Sequence, residues 1–81
     1  MNAQRHKKLL GVLSQLEDAL ALAKGSLRKI KDEEQERFDN MPESLQEGDN
    51  AQRMLNIIEG IGALTNTLKE AEDNSRALRE E

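Results

Sequence analysis

The run DEEQERFDNMPESLQ, residues 32–46, holds six carboxylates together with the chain's one Phe and one Pro. Asp32, Glu36 and Asp39 follow one another at spacings of four and three, which puts them on one face of a helix. A carboxylate face can ligate metal, move protons or dock a basic partner. A di-metal carboxylate bundle needs Glu-x-x-His pairs projecting into its core, and no such pair occurs. An EF-hand loop needs alternating Asp or Asn, a central Gly and a distant Glu, which DNMPESLQEGDN does not supply. His6 is the only His and there is no Cys, so neither a thiolate nor an imidazole site can be assembled. Ser14, Ser26, Ser44 and Ser75 have no base placed beside them by sequence. Gly48, Gly60 and Gly62 lack the Lys-Ser/Thr pair and the preceding strand of a phosphate-binding loop. We therefore expect no catalytic, cofactor or metal residue, and read Asp32, Glu36 and Asp39 as a surface for binding another protein.

The basic residues suggest an alternative. Lys24, Arg28 and Lys31 form a stripe on one helix, with Lys29 beside it. Such a stripe would suit an accessory protein that touches nucleic acid through phosphates. The acidic pI of about 5.0 and the single aromatic residue argue against it.

These side chains need elements to carry them. Leu9, Leu13, Leu16, Leu20, Ala23, Leu27 and Ile30 recur at alternating spacings of four and three, the 3.5-residue period of a coiled-coil-like seam. Met54, Ile57, Ile61, Leu64, Leu68, Ala71, Ser75 and Leu78 repeat the pattern. The expectation is an all-α chain with helices over about 3–39 and 49–79 and a turn at 40–48, forming one domain over residues 1–81. Pro42 disfavours an α conformation at Met41 and stops the first helix. Phe38, Met41 and Leu45 are the apolar residues available to plug the turn. Asp49 stands where the second helix should be capped, with Gln52 three residues on.

A short connection makes the two helices antiparallel neighbours. Pairing the seams places Ile30 by Ile57, Leu27 by Ile61, Ala23 by Leu64, Leu20 by Leu68, Leu16 by Ala71, Leu13 by Ser75 and Leu9 by Leu78. Lys24 and Arg28 then lie outside the seam, in water. The charge distribution agrees with antiparallel packing. Residues 1–31 carry seven Lys or Arg against two carboxylates, a balance of +5; residues 32–81 carry five against fourteen, a balance of −9. A hairpin lays one set along the other.

A chain of 81 residues buries only about 60% of its unfolded surface, which is marginal for a lone core. Two glycines inside a helix, Gly60 and Gly62, each cost about 1 kcal/mol against Ala, a cost that close approach of another backbone would offset. We expect hairpins to pair as a homodimeric four-helix bundle, with Ile57, Gly60, Ile61, Gly62 and Leu64 at the dimer interface or in helix packing.

The run DEEQERFDNMPESLQ resembles a motif in small helical proteins encoded by bacteriophages, prophages and plasmids. There a helix ending in DEEQE leads through an FDNMPESLQ-like turn into a second helix rich in Glu, Ala, Leu and Ile. The resemblance covers residues 32–46 and implies a mobile-element origin; it assigns no activity to any residue. Composition and resemblance together point to a non-enzymatic interaction module. Gln15, Glu17 and Asp18 interrupt any apolar stretch of signal-peptide or membrane length, so a cytoplasmic protein with no membrane partner is expected.

Overall fold

A computed structural model describes residues 1–81 and consists of two long helices packed against each other, with no strand. Helix α1 spans Ala3–Asp39 and α2 spans Asp49–Arg79, joined through a single 3₁₀ turn at Glu43–Leu45. The molecule is a rod of 63 × 15 × 15 Å. Its radius of gyration is 18.4 Å, against about 12 Å for a compact domain of this length.

Local chemistry sets the ends. Asn2 caps α1, its side-chain oxygen accepting the Arg5 N–H at 2.8 Å. At the other end the Asn40 N–H still reaches the Glu36 carbonyl at 3.0 Å, and the Met41 N–H turns to the Phe38 carbonyl at 3.1 Å. Pro42 then takes an extended ψ of 142° and opens the 3₁₀ turn, its carbonyl accepting the Leu45 N–H at 2.8 Å.

The start of α2 differs from expectation. The capping position is Gly48, not Asp49, and no side chain caps it. Glycine fits because a methyl there would lie 3.3 Å from the Leu45 carbonyl oxygen, tighter than an ordinary contact. Asp49 sits one residue further on, in the first turn, where its charge still favours the helix N-terminus.

The helices do meet along a seam, but not the one drawn from the apolar spacing. Leu13 and Leu20 are buried and Leu27 is half-buried, as a seam requires. Between them, however, α1 turns Glu17, Lys24 and Lys31 toward α2, and leaves Leu16, Ala23 and Ile30 exposed. Helix α2 does the same: Ile58, Thr65, Glu72 and Arg79 are half-buried, whereas Ile57, Leu64 and Leu78 are exposed. The expected layers of Ile30 by Ile57, Ala23 by Leu64 and Leu9 by Leu78 are therefore not buried layers of this hairpin. Each helix is rotated by about 50°, half a residue step, from the expected orientation. Thr65 is accommodated on the inner row because its hydroxyl donates to the Ile61 carbonyl at 2.8 Å.

The resulting core is thin. Only Leu13, Leu20, Ala51 and Ser75 are buried. Leu20→Ala should cost about 2–3 kcal/mol of stability, the lower part of the range for Leu truncation because the site is one stripe deep. Leu22→Ala, at a leucine 75% exposed, should stay within about 0.5 kcal/mol. Urea unfolding followed by circular dichroism compares the two.

Candidate functional site

The rotation gives the hairpin two unlike flanks. On one, charged side chains cross between the helices. Arg79 binds Glu17 through both arms of its guanidinium, Nε to Oε2 at 2.7 Å and Nη2 to Oε1 at 2.8 Å. Ser75 donates its hydroxyl to the same Oε2 at 2.6 Å, and Arg79 Nη2 also donates to Ser14 at 2.9 Å. One heptad along, Lys24 Nζ meets Glu72 Oε1 at 2.6 Å. Lys31 lies over Gly62, where an added methyl would come within 3.6 Å of its ammonium nitrogen. Lys24 is thus half-buried and paired, contrary to the expectation that it would be wet.

These pairs set both direction and register. The order along α1 is acid then base, Glu17 then Lys24; along α2 it is again acid then base, Glu72 then Arg79. Antiparallel packing matches opposite signs at both levels. Parallel packing, or a slip of one heptad, would set Glu17 against Glu72 or Lys24 against Arg79. Like charges in a partly buried seam are costly, so the braces exclude those alternatives.

The hydrogen bonds from Arg79 and then Ser75 lower the Glu17 pKa from 4.5 to about 2, and the same Glu17 contact raises that of Arg79. These contacts hold Glu17 as a charged brace between the two helices. His6 stands half-buried on the first turn of α1. No group of three or more His, Asp or Glu converges closely enough to hold a metal ion.

The opposite flank is apolar and open. In an antiparallel pair, the same angular offset on each helix points to the same side of the hairpin. The α1 rows on this side read Leu9, Val12, Leu16, Ala19, Ala23, Ser26 and Ile30. Those of α2 read Ile57, Gly60, Leu64, Thr67, Ala71, Asn74 and Leu78. None of the fourteen is charged, where about five would be expected in a chain that is 35% charged. Of the nine large apolar side chains exposed in the molecule, six lie here: Val12, Leu16, Ile30, Ile57, Leu64 and Leu78. The exposed apolar side chains are thus gathered into one strip rather than scattered singly over the surface.

The residues singled out by spacing divide between these surfaces. Ile57, Gly60 and Leu64 stand on the open strip, while Ile61 and Gly62 are half-buried toward α1. A methyl added at Gly60 would meet nothing within 4 Å. Asp32, Glu36 and Asp39 are all exposed on the outside of α1, and Asp39 accepts a hydrogen bond from Gln35 at 3.0 Å. Phe38 and Met41 are half-buried at the turn, but Leu45 is 54% exposed and plugs nothing. Its expected place is taken by Gln46, whose amide donates to the Phe38 and Met41 carbonyls at 3.3 and 3.2 Å, and by Ala51, which is fully buried. A Gln shortly after a helix stop is the signal for such a carbonyl cap. Beside the turn, the open strip ends in a groove of about 660 Å³ lined by Met41, Met54 and Ile57 together with Glu34, Arg37 and Arg53, and Arg37 pairs with Glu34 at 3.2 Å.

No family model, curated protein or solved structure matches the chain.

The pH dependence follows from Glu17. Its pKa is depressed in the folded state, so its stabilisation is fully present above the unfolded value near 4.5 and is lost as pH falls toward 2. Glu17→Gln should melt below wild type at pH 7, and the two melting temperatures should converge between pH 4.5 and pH 2. Thermal melts across that range measure the convergence.

Proposed function

We propose that this protein is a non-enzymatic interaction module that pairs with a second copy of itself, face to face, as a four-helix bundle. The charge-free strip carries this reading. It covers Leu9 to Ile30 of α1 and Ile57 to Leu78 of α2, and its outer row is built of residues such as Ala19, Ser26, Gly60 and Thr67 that permit close approach. Counted from Ile57 to Leu78 the strip is about 32 Å long and roughly 20 Å wide. That is on the order of 600 Å² per copy, the lower end of the range for a specific protein interface.

The bundle leaves the acidic face of Asp32, Glu36 and Asp39 in solvent, and we assign it to docking a further protein, in a module of mobile-element origin as the turn motif implies. Nucleic acid is the weaker partner. Lys24 of the basic stripe is engaged with Glu72, and Lys31 is folded over Gly62, which leaves Arg28 and Lys29 as its free members. No helix is long and apolar enough to cross a membrane.

Sedimentation velocity at low micromolar concentration should give twice the 9.1 kDa chain mass. Leu16→Glu with Leu64→Glu should shift it to monomer, because both charges fall in the strip. Leu22→Glu, on the outer surface, should leave the mass unchanged. Capture from host lysate tests the tip separately: Asp32→Lys with Glu36→Lys should lose the bound protein and keep both the mass and the melting temperature. A monomeric wild type would remove the self-association, and unaltered capture would remove the docking role.

A further inference from the structure

The charged flank holds a cleft that the self-association does not use: we infer that the space between Arg28 and Lys31 of α1 and Gly62 and Asn66 of α2 binds a carboxylate group from outside the chain. The two braces define a progression. Glu17 meets Arg79, and one heptad further along α1 Lys24 meets Glu72. The next step brings Lys31 to Thr65, and both are half-buried. At the first two levels a cation of one helix meets a glutamate of the other. At the third, α2 offers only a hydroxyl, which is donated to the Ile61 carbonyl at 2.8 Å. Lys31 makes no ion pair, and neither does Arg28 one turn before it. Asp32 stands beside them and pairs with neither. A half-buried ammonium without a counter-charge gains more from a carboxylate than a fully solvated one does, because less water competes for it.

The cleft encloses about 320 Å³, the small end for a ligand site. Arg28, Lys31, Asp32, Gly62, Thr65 and Asn66 line it, with no aliphatic or aromatic residue among them. Such a lining recognises a polar head group rather than a carbon skeleton. The Arg28 guanidinium can hold a carboxylate through two N–H groups, Lys31 supplies a point charge, and the Asn66 amide is a further donor. Two cations against Asp32 leave a local balance of +1, which matches one carboxylate and disfavours a phosphate dianion. The cleft and the apolar strip lie on opposite flanks. Ile30 and Leu64 of the strip come one residue before Lys31 and Thr65, whereas Asp32 and Asn66 come one residue after them. Pairing of two strips therefore leaves the cleft open.

Titration with acetate, at constant ionic strength set by chloride and followed by amide chemical shifts, tests the site. Shifts should saturate around Arg28, Lys31, Gly62 and Asn66, with a dissociation constant on the order of millimolar. Lys31→Met should weaken that binding by roughly tenfold or more. Thr65→Glu supplies the carboxylate from within the chain, so it should melt above Thr65→Gln and lose acetate binding. A blocked Gly-Glu-Gly peptide distinguishes the sources. Tighter binding of the peptide than of acetate assigns the carboxylate to a protein side chain; equal or weaker binding assigns it to a small organic acid. Shifts that grow without saturating and spread to Arg5 and Lys29 would overturn the site, and so would inorganic phosphate binding as tightly as acetate. A Thr65→Glu chain that melts no higher than Thr65→Gln and still binds acetate would overturn the role given to Lys31.

Discussion

Two helices touch along one line, and everything else in this structure follows from that limit. Each cylinder can bury one stripe against the other and must leave the rest of its circumference to solvent or to another molecule. The consequence is a 63 Å rod in which four of 81 residues are buried. Ordering each residue costs about 1–2 kcal/mol of backbone entropy, and a core of Leu13, Leu20 and Ala51 offsets little of it. Isolated helices of this kind draw most of their stability from packing, so the choice of stripe matters more here than in a globular domain.

The stripe chosen is a compromise between apolar burial and polar pairing. Facing the apolar rows squarely at each other would bury Leu16, Ala23 and Ile30 but leave Glu17 and Lys24 as solvated surface charges, worth little as pairs. Rotating by half a residue step keeps Leu13, Leu20 and Leu27 inside and brings Glu17 to Arg79 and Lys24 to Glu72 at hydrogen-bonding distance. The rotation sacrifices apolar contact and gains an unambiguous register, which a seven-residue repeat alone does not possess. It also exposes a continuous uncharged strip on the other side. A surface of that kind on a thin hairpin is the complement of an incomplete core, and a second hairpin with the same strip would complete it.

The turn obeys the same economy of contacts. With so few residues to enclose, it closes by hydrogen bonds as much as by apolar packing: Gln46 satisfies the last carbonyls of α1, and Ala51 fills the space beneath. The carboxylates Asp32, Glu36 and Asp39 take no part in closing it, which leaves them available on the outer face.

Two helices, a break at Pro42 and an antiparallel return were legible in the sequence, because apolar period, proline geometry and a short connection are local or nearly local constraints. The seam was legible as a row, Leu13 to Leu27, since a 3.5-residue period marks which positions can be covered. Its centre was not. A stripe about 100° wide can be approached from either edge, and the apolar count favours the edge with Leu16 and Ile30. Only when both helices are in place does Arg79 reach Glu17, and that contact, between residues 62 apart, decides the rotation. The same holds for Leu45 and Asp49: residue type suggested a plug and a cap, but the 3₁₀ turn aims Leu45 outward and sets Gly48 at the start of α2. Sequence alone determined the elements and their order, because those depend on neighbours along the chain. The tertiary structure decided which faces meet, because that depends on charges and side-chain lengths brought together from opposite ends of it.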